Sequence, residues 1–110
     1  MNLDELYHDV AEWQGETFKG ADAYGAAEHL RREAAEVHRL LWHADAHNLV
    51  RRPVVDVLDL GEEMADVFFM LVQLATTAKI DLPCFVEAKL EKNKSRTWKA
   101  PDSEGVVEHE

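Results

Sequence analysis

A chain of 110 residues, 46% of them hydrophobic, fits one domain with a core of moderate size spanning 1–110. Twelve basic against 22 acidic side chains leave a net charge of −10, which disfavours unaided binding to a nucleic-acid polymer or an anionic membrane. A nucleotide stays open as a ligand, because a divalent cation inverts the local charge where it binds. The single Cys84 forms no intrachain disulfide, which agrees with a reducing compartment, and it reads as a small buried hydrophobe. The start of the chain carries no basic-then-apolar signal pattern. The apolar run VFFMLVQLA falls well short of the roughly 20 residues needed to span a membrane, so the cytoplasm is the expected compartment.

In chain order, Leu3 to about Phe18 predicts a first helix, with Asn2 or Asp4 as cap and Leu3, Leu6, Val10 and Trp13 as its apolar stripe. QGETFKGADAYG, with its glycines, reads as the following loop. Trp13 and Phe18 border it, either closing the core or covering a flat ligand. A long second helix is expected from about Ala23 to His47, free of proline and rich in Ala, Leu, Arg and Glu. Leu30, Ala34, Val37 and Leu41 form its core face. His29, Glu33 and Glu36 cluster on an adjoining face, while Arg32 and Arg39 can point elsewhere.

Asn48 to Pro53 predicts a break, with Asn48 ending one helix and Pro53 in the first turn of the next. The third helix then runs from about Val54 to Ala78. Its first half is acidic (Asp56, Asp59, Glu62, Glu63, Asp66) and its second half nearly all apolar. Met64, Val67, Phe68 and Leu71 follow the spacing of a buried stripe. So wide an apolar surface suggests burial against several helices, including those of a second subunit. A fourth helix is expected after KIDLPC, with Asp81 as cap and Pro83 just inside, ending near Thr97. Lys89, Asn93 and Arg96 share one side of it and form a candidate phosphate grip. From Trp98 to Glu110 the chain reads as an extended tail. The expected fold is an all-α, four-helix bundle.

The chemistry follows from the carboxylates. No Walker-type glycine loop, Ser-His-Asp order or Cys-His zinc spacing stands in the chain. Two acidic pairs, Glu33 with Glu36 and Glu63 with Asp66, each sit three residues apart on separate helices. Packed face to face, such helices would line a cation site with oxygen. Carboxylates without Cys or His select hard ions, so Mg²⁺ or Mn²⁺ is implied.

E33-x-x-E36, a gap, then E63-x-x-D66 before an apolar helix resembles the MazG-like all-α nucleoside triphosphate pyrophosphohydrolases. WQGETF, HLRREAAE, GEEMADVFF and KLEKNKSRTW with a terminal EH are similar to one branch, the dATP/dGTP diphosphohydrolases (MazZ-like), which has bacteriophage members. The resemblance covers about Trp13 to His109. It implies hydrolysis of a (deoxy)nucleoside triphosphate, with purine deoxynucleotides favoured, to the monophosphate and pyrophosphate, and a homodimer or homotetramer. Carried over, Glu33, Glu36, Glu63 and Asp66 are metal ligands, and Glu33 also orients the attacking water. Lys89, Asn93 and Arg96 hold the phosphate chain, and Trp13, Gln14 or Trp98 contact the base. One departure stands out: many MazG-like chains open the first motif with an acidic pair, where this chain has Arg32 before Glu33. Glu62 is the available substitute. The competing reading is a non-catalytic helical module that binds a nucleotide or a protein partner.

Overall fold

Asn2 closes the first turn of the chain from both sides. Its Oδ1 accepts the Glu5 amide at 2.8 Å and its Nδ2 donates to Glu5 Oε1 at 3.1 Å, a reciprocal cap. From it α1 runs Leu3–Thr17, followed by α2 (Ala23–His47), α3 (Val57–Thr77) and α4 (Leu82–Lys94). The computed structural model describes residues 1–47 and 56–110, with the backbone alone at 43–47. The predicted break at Asn48 to Pro53, and Pro53 as a first-turn residue, lie outside the described residues. The others form the expected all-α fold, with one isolated bridge besides the helices.

Each later helix also starts on an Asp side chain. Asp22 Oδ1 accepts the Gly25 amide at 2.6 Å at the head of α2, and Asp56 Oδ1 accepts the Leu58 amide at 2.8 Å before α3. Asp81 caps α4, with Pro83 in its first turn. The end of α3 is a Schellman turn without glycine. Ile80 N–H reaches the Ala75 carbonyl at 2.8 Å and Lys79 N–H the Thr76 carbonyl at 3.2 Å, with Lys79 held at φ 58°.

The chain divides into two units, Met1–Ile80 and Asp81–Glu110. In the first, α2 lies along α3 in the widest helix–helix contact, and α1 packs on α3. The buried side chains are Tyr7, Val10 and Gln14 of α1, Ala26 of α2, and Met70, Val72, Gln73 and Ala75 of α3. This corrects two expected stripes. On α1, Leu3, Leu6 and Trp13 are exposed, and the inward face is rotated by about one residue. Gln14 Nε2 donates to the Phe69 carbonyl at 2.8 Å, so the amide is buried against α3 while the neighbouring indole stays partly exposed. On α3, Met64 and Leu71 are exposed while the buried positions begin at Met70.

The second unit departs from expectation at its end. α4 stops at Lys94, three residues early, because Ser95 Oγ donates back to the Lys92 carbonyl at 2.7 Å and Arg96 N–H closes a tight turn on Asn93 O at 3.2 Å. Arg96 therefore stands beyond the helix rather than in line with Lys89 and Asn93. The tail is not extended. It folds back through a turn held by Asp102 Oδ1, which accepts the Glu104 and Val106 amides, and Gly105 supplies the positive φ of 79°. Trp98 and His109 pair across this hairpin, their rings edge-on at 5.9 Å. Cys84 is exposed, not buried. Its Sγ donates to Asp81 Oδ2 at 3.1 Å, and that bond, with the neighbouring charge, pushes the thiol above its usual range.

Candidate active site

The contact between α2 and α3 brings carboxylates of both acidic pairs together. One oxygen each from Glu33, Glu63 and Asp66 lies within 4.8 Å of the other two. Glu33 and Glu63 are half-buried and Asp66 is exposed, so the cluster opens to solvent on one side. Glu63 bears the strain. Burial pushes its pKa up, and the charges of Asp66, Glu33, Glu36 and Glu62 add to the rise. Among the described residues Glu63 itself has no ion-pair partner, although two of its acidic neighbours do: Glu33 with His29 and Glu36 with Arg39. The arginines of α2 are engaged along their own helix: Arg31 and Arg32 with Glu28, and Arg39 with Glu36.

Glu36 stands apart from the three converging oxygens. Its Oε1 accepts from Arg39 Nη1 at 2.8 Å, although its charge still reaches Glu63. Arg39, expected to point elsewhere, is therefore the partner of a candidate ligand. Arg32, the departure in the first motif, turns its Nε to Glu28 Oε1 at 3.3 Å. Glu62 is exposed and contributes charge at Glu63, but it is outside the oxygen cluster. His29 Nε2 lies 3.1 Å from Glu33 Oε1, one helical turn upstream. An imidazole N–H there orients the carboxylate, the part an outer partner plays around a metal ligand.

A cleft of about 220 Å³ lies further along α3, against the end of α1. Gln14, Phe18, Gln73, Thr76 and Thr77 line it. Trp13 is not among its lining residues. It stands edge-on to Phe18 at 5.4 Å and to Phe69 at 6.2 Å. Gln73, Thr76 and Thr77 were not anticipated, although a signal was available: they are polar residues inside an otherwise apolar run. In the second unit, Arg96 Nη1 donates to Asn93 Oδ1 at 3.3 Å and Trp98 Nε1 to the Asn93 carbonyl at 3.1 Å. Asn93, Arg96 and Trp98 thus form one local group, which Lys89, a turn earlier on α4, does not join by any hydrogen bond shown among them.

Residues 6–109 match the dATP/dGTP pyrophosphohydrolase family. The chain belongs to this family. It is accordingly a nucleotide pyrophosphohydrolase, and the reading as a non-catalytic module falls away. No curated protein matches the sequence. Among solved structures, the MazG-like pyrophosphohydrolase of cyanophage S-2L aligns with 100% of this chain and 98% of its own, at 24% identity and a TM-score of 0.67. That likeness is one of fold. The cyanophage protein was solved with dGDP and three catalytic Mn²⁺ ions per active site.

Proposed function

We propose that this pyrophosphohydrolase cleaves purine deoxynucleoside triphosphates, dGTP and dATP, between the α- and β-phosphates, with Mg²⁺ or Mn²⁺ held by Glu33, Glu36, Glu63 and Asp66. The observation that carries the reading is the convergence of three carboxylate oxygens from two helices around a Glu63 whose ionised form is disfavoured. Like charges gathered at this distance repel unless a cation lies among them, and an all-oxygen set suits a hard one. The dGDP and Mn²⁺ bound by the cyanophage protein of the same fold support it.

Bound divalent ions would lower the pKa of a water and neutralise charge on the departing pyrophosphate. Glu33, steadied by His29, orients that water for attack on the α-phosphorus. A new P–O bond forms, the α–β anhydride bond breaks, and its electron pair leaves with pyrophosphate. One water is consumed per monophosphate released. Lys89, Asn93 and Arg96 are assigned the phosphate chain on their chemistry, two cations and an amide donor suited to phosphate oxygens. Trp13, Gln14 and Trp98 are the base contacts of the same proposal.

Assembly as a homodimer or homotetramer belongs to this reading, since Val57 and Leu58 at the start of α3 are 77% exposed and Met64 is 57% exposed. The cytoplasm is the proposed compartment. No single helix among the described residues is long and apolar enough to cross a membrane.

The test is a screen of the common NTPs and dNTPs with Mg²⁺ or Mn²⁺, the products separated by chromatography. dGTP and dATP should yield the monophosphate and pyrophosphate, and only when metal is added. Release of the diphosphate and inorganic phosphate, or equal turnover in chelator, would overturn the assignment.

A further inference from the structure

The second unit folds without building a core. From Cys84 to Glu110 every residue is exposed except two, Asn93 and Arg96, which are half-buried. A two-stranded hairpin is marginally stable by itself, and this one gains nothing from an apolar face of its own. What it does hold in place is that pair.

Hydrogen bonds lead from the end of the chain to Asn93. The Glu110 N–H reaches the Thr97 carbonyl at 2.9 Å and the Lys99 N–H the Glu108 carbonyl at 2.8 Å, on either side of the Trp98–His109 bridge. The His109 ring stands edge-on to the indole, and Trp98 Nε1 donates to the Asn93 carbonyl at 3.1 Å. The same carbonyl takes the Arg96 N–H at 3.2 Å, so it has a donor for each lone pair.

The side chains of the pair are oriented by chemistry. Arg96 Nη1 donates to Asn93 Oδ1 at 3.3 Å. A guanidinium can only donate, so the amide turns its oxygen to Arg96 and keeps its Nδ2 hydrogens for another acceptor. With the oxygen engaged, the two side chains together offer N–H donors, the polarity that phosphate oxygens need.

We propose that His109 is a positioning residue for phosphate binding. Its ring and its bridge press Trp98 against Asn93, and this fixes the angle at which Asn93 and Arg96 meet the phosphate chain. His109 itself touches no substrate. The inference rests on the assignment of Asn93 and Arg96 to the phosphates, and it goes beyond it by giving the C-terminal hairpin a function.

Such positioning is reciprocal. If the closed hairpin raises affinity for phosphate, bound phosphate must favour the closed hairpin by the same factor. The experiment uses the full ¹⁵N-labelled chain with Mg²⁺, and inorganic pyrophosphate as the probe. Saturating pyrophosphate should slow hydrogen exchange at the Trp98 indole and at the Lys99 and Glu110 amides by about fivefold or more.

Two variants open the hairpin away from the pair. His109→Ala removes the ring. Asp102→Ala with Gly105→Val removes the turn, since Asp102 Oδ1 accepts two amides there and Gly105 has φ 79°. Both should speed the same exchanges, weaken pyrophosphate binding by about tenfold, and raise KM for dGTP to a similar extent with kcat less affected. Binding of Mn²⁺ alone should stay at the wild-type level. His109→Phe, which restores a ring, should recover most of the loss.

Unchanged exchange in pyrophosphate-saturated wild type would overturn the proposal. So would wild-type pyrophosphate affinity in a variant whose indole exchanges freely, or a loss that His109→Phe does not restore. Pyrophosphate and Mn²⁺ affinity falling together with the melting temperature would make His109 a support of the fold alone, and overturn it too. A wild type whose hairpin responds to pyrophosphate but which releases none from dGTP would keep the positioning role and remove the reaction. Turnover of dGTP without any response at Asn93 or Arg96 would do the opposite.

Discussion

Glu63 is where the demands of folding and of catalysis conflict most openly. Burial and the charges of four neighbouring acids raise the pKa of its carboxyl in the folded chain. A carboxyl whose pKa is raised on folding adds stability that is fully present below its ordinary value of 4.5 and is lost as pH rises through the raised value. The metal-free protein should therefore carry a penalty from this group near neutral pH. Replacing the pair (Glu63→Gln with Asp66→Asn) should leave metal-free stability at pH 7 level or higher, and flatten its fall between acid and neutral pH. Mg²⁺ or Mn²⁺ should raise the melting temperature of the wild type by binding the folded state, and the double variant should lose both that response and pyrophosphate release. Melting curves with and without metal, beside a pyrophosphate assay, check all of this. A variant that still turns over at the wild-type rate would remove the site.

Helix ends show how far local chemistry reaches. The caps at Asn2 and Asp81 were legible because short polar side chains before an apolar period satisfy the first amides of a helix wherever it packs. Asp56 was expected inside a helix starting near Val54, and instead caps one that starts at Val57. The end of α4 was not legible from periodicity. Lys89, Asn93 and Arg96 continue a helical spacing, but Ser95 diverts its own hydroxyl to a carbonyl and Trp98 ties its indole to Asn93, so the turn tightens instead of extending. The end of α3 carries a residue that does not suit its conformation. Lys79 occupies the left-handed region, where a side chain costs about 1–2 kcal/mol. Lys79→Gly should relieve that strain and lose part of the gain to the freer unfolded chain, for a net stabilisation of about 0.5–1 kcal/mol. Chemical denaturation at a fixed protein concentration reads the change, and a loss of stability would show that the lysine side chain makes a compensating contact.

At the scale of the whole molecule the core of one chain is small. Six hydrophobic side chains are buried among the described residues, while Val57, Leu58 and Met64 of α3 remain open to solvent. Exposed apolar surface of this kind is ordinarily covered by a partner. Light scattering at micromolar concentration should give a mass that is a multiple of 12.5 kDa. A stable particle of 12.5 kDa would contradict the homo-oligomer.

The sequence by itself determined the helical class, two of the four starting caps, the two acidic pairs and the family. These depend on spacing and on side-chain chemistry within one or two turns, which a chain carries wherever it folds. Packing decided the rest. The more apolar stripe of α1 by pattern is not the one that is buried: Tyr7, Val10 and Gln14 turn inward, with Gln14 bonded to the Phe69 carbonyl, while Leu3, Leu6 and Trp13 stay exposed. Likewise four carboxylates looked equivalent along the chain. The crossing of α2 on α3 brings Glu33, Glu63 and Asp66 within 4.8 Å and leaves Glu36 to Arg39, because convergence in space is a property of two helices and not of either one.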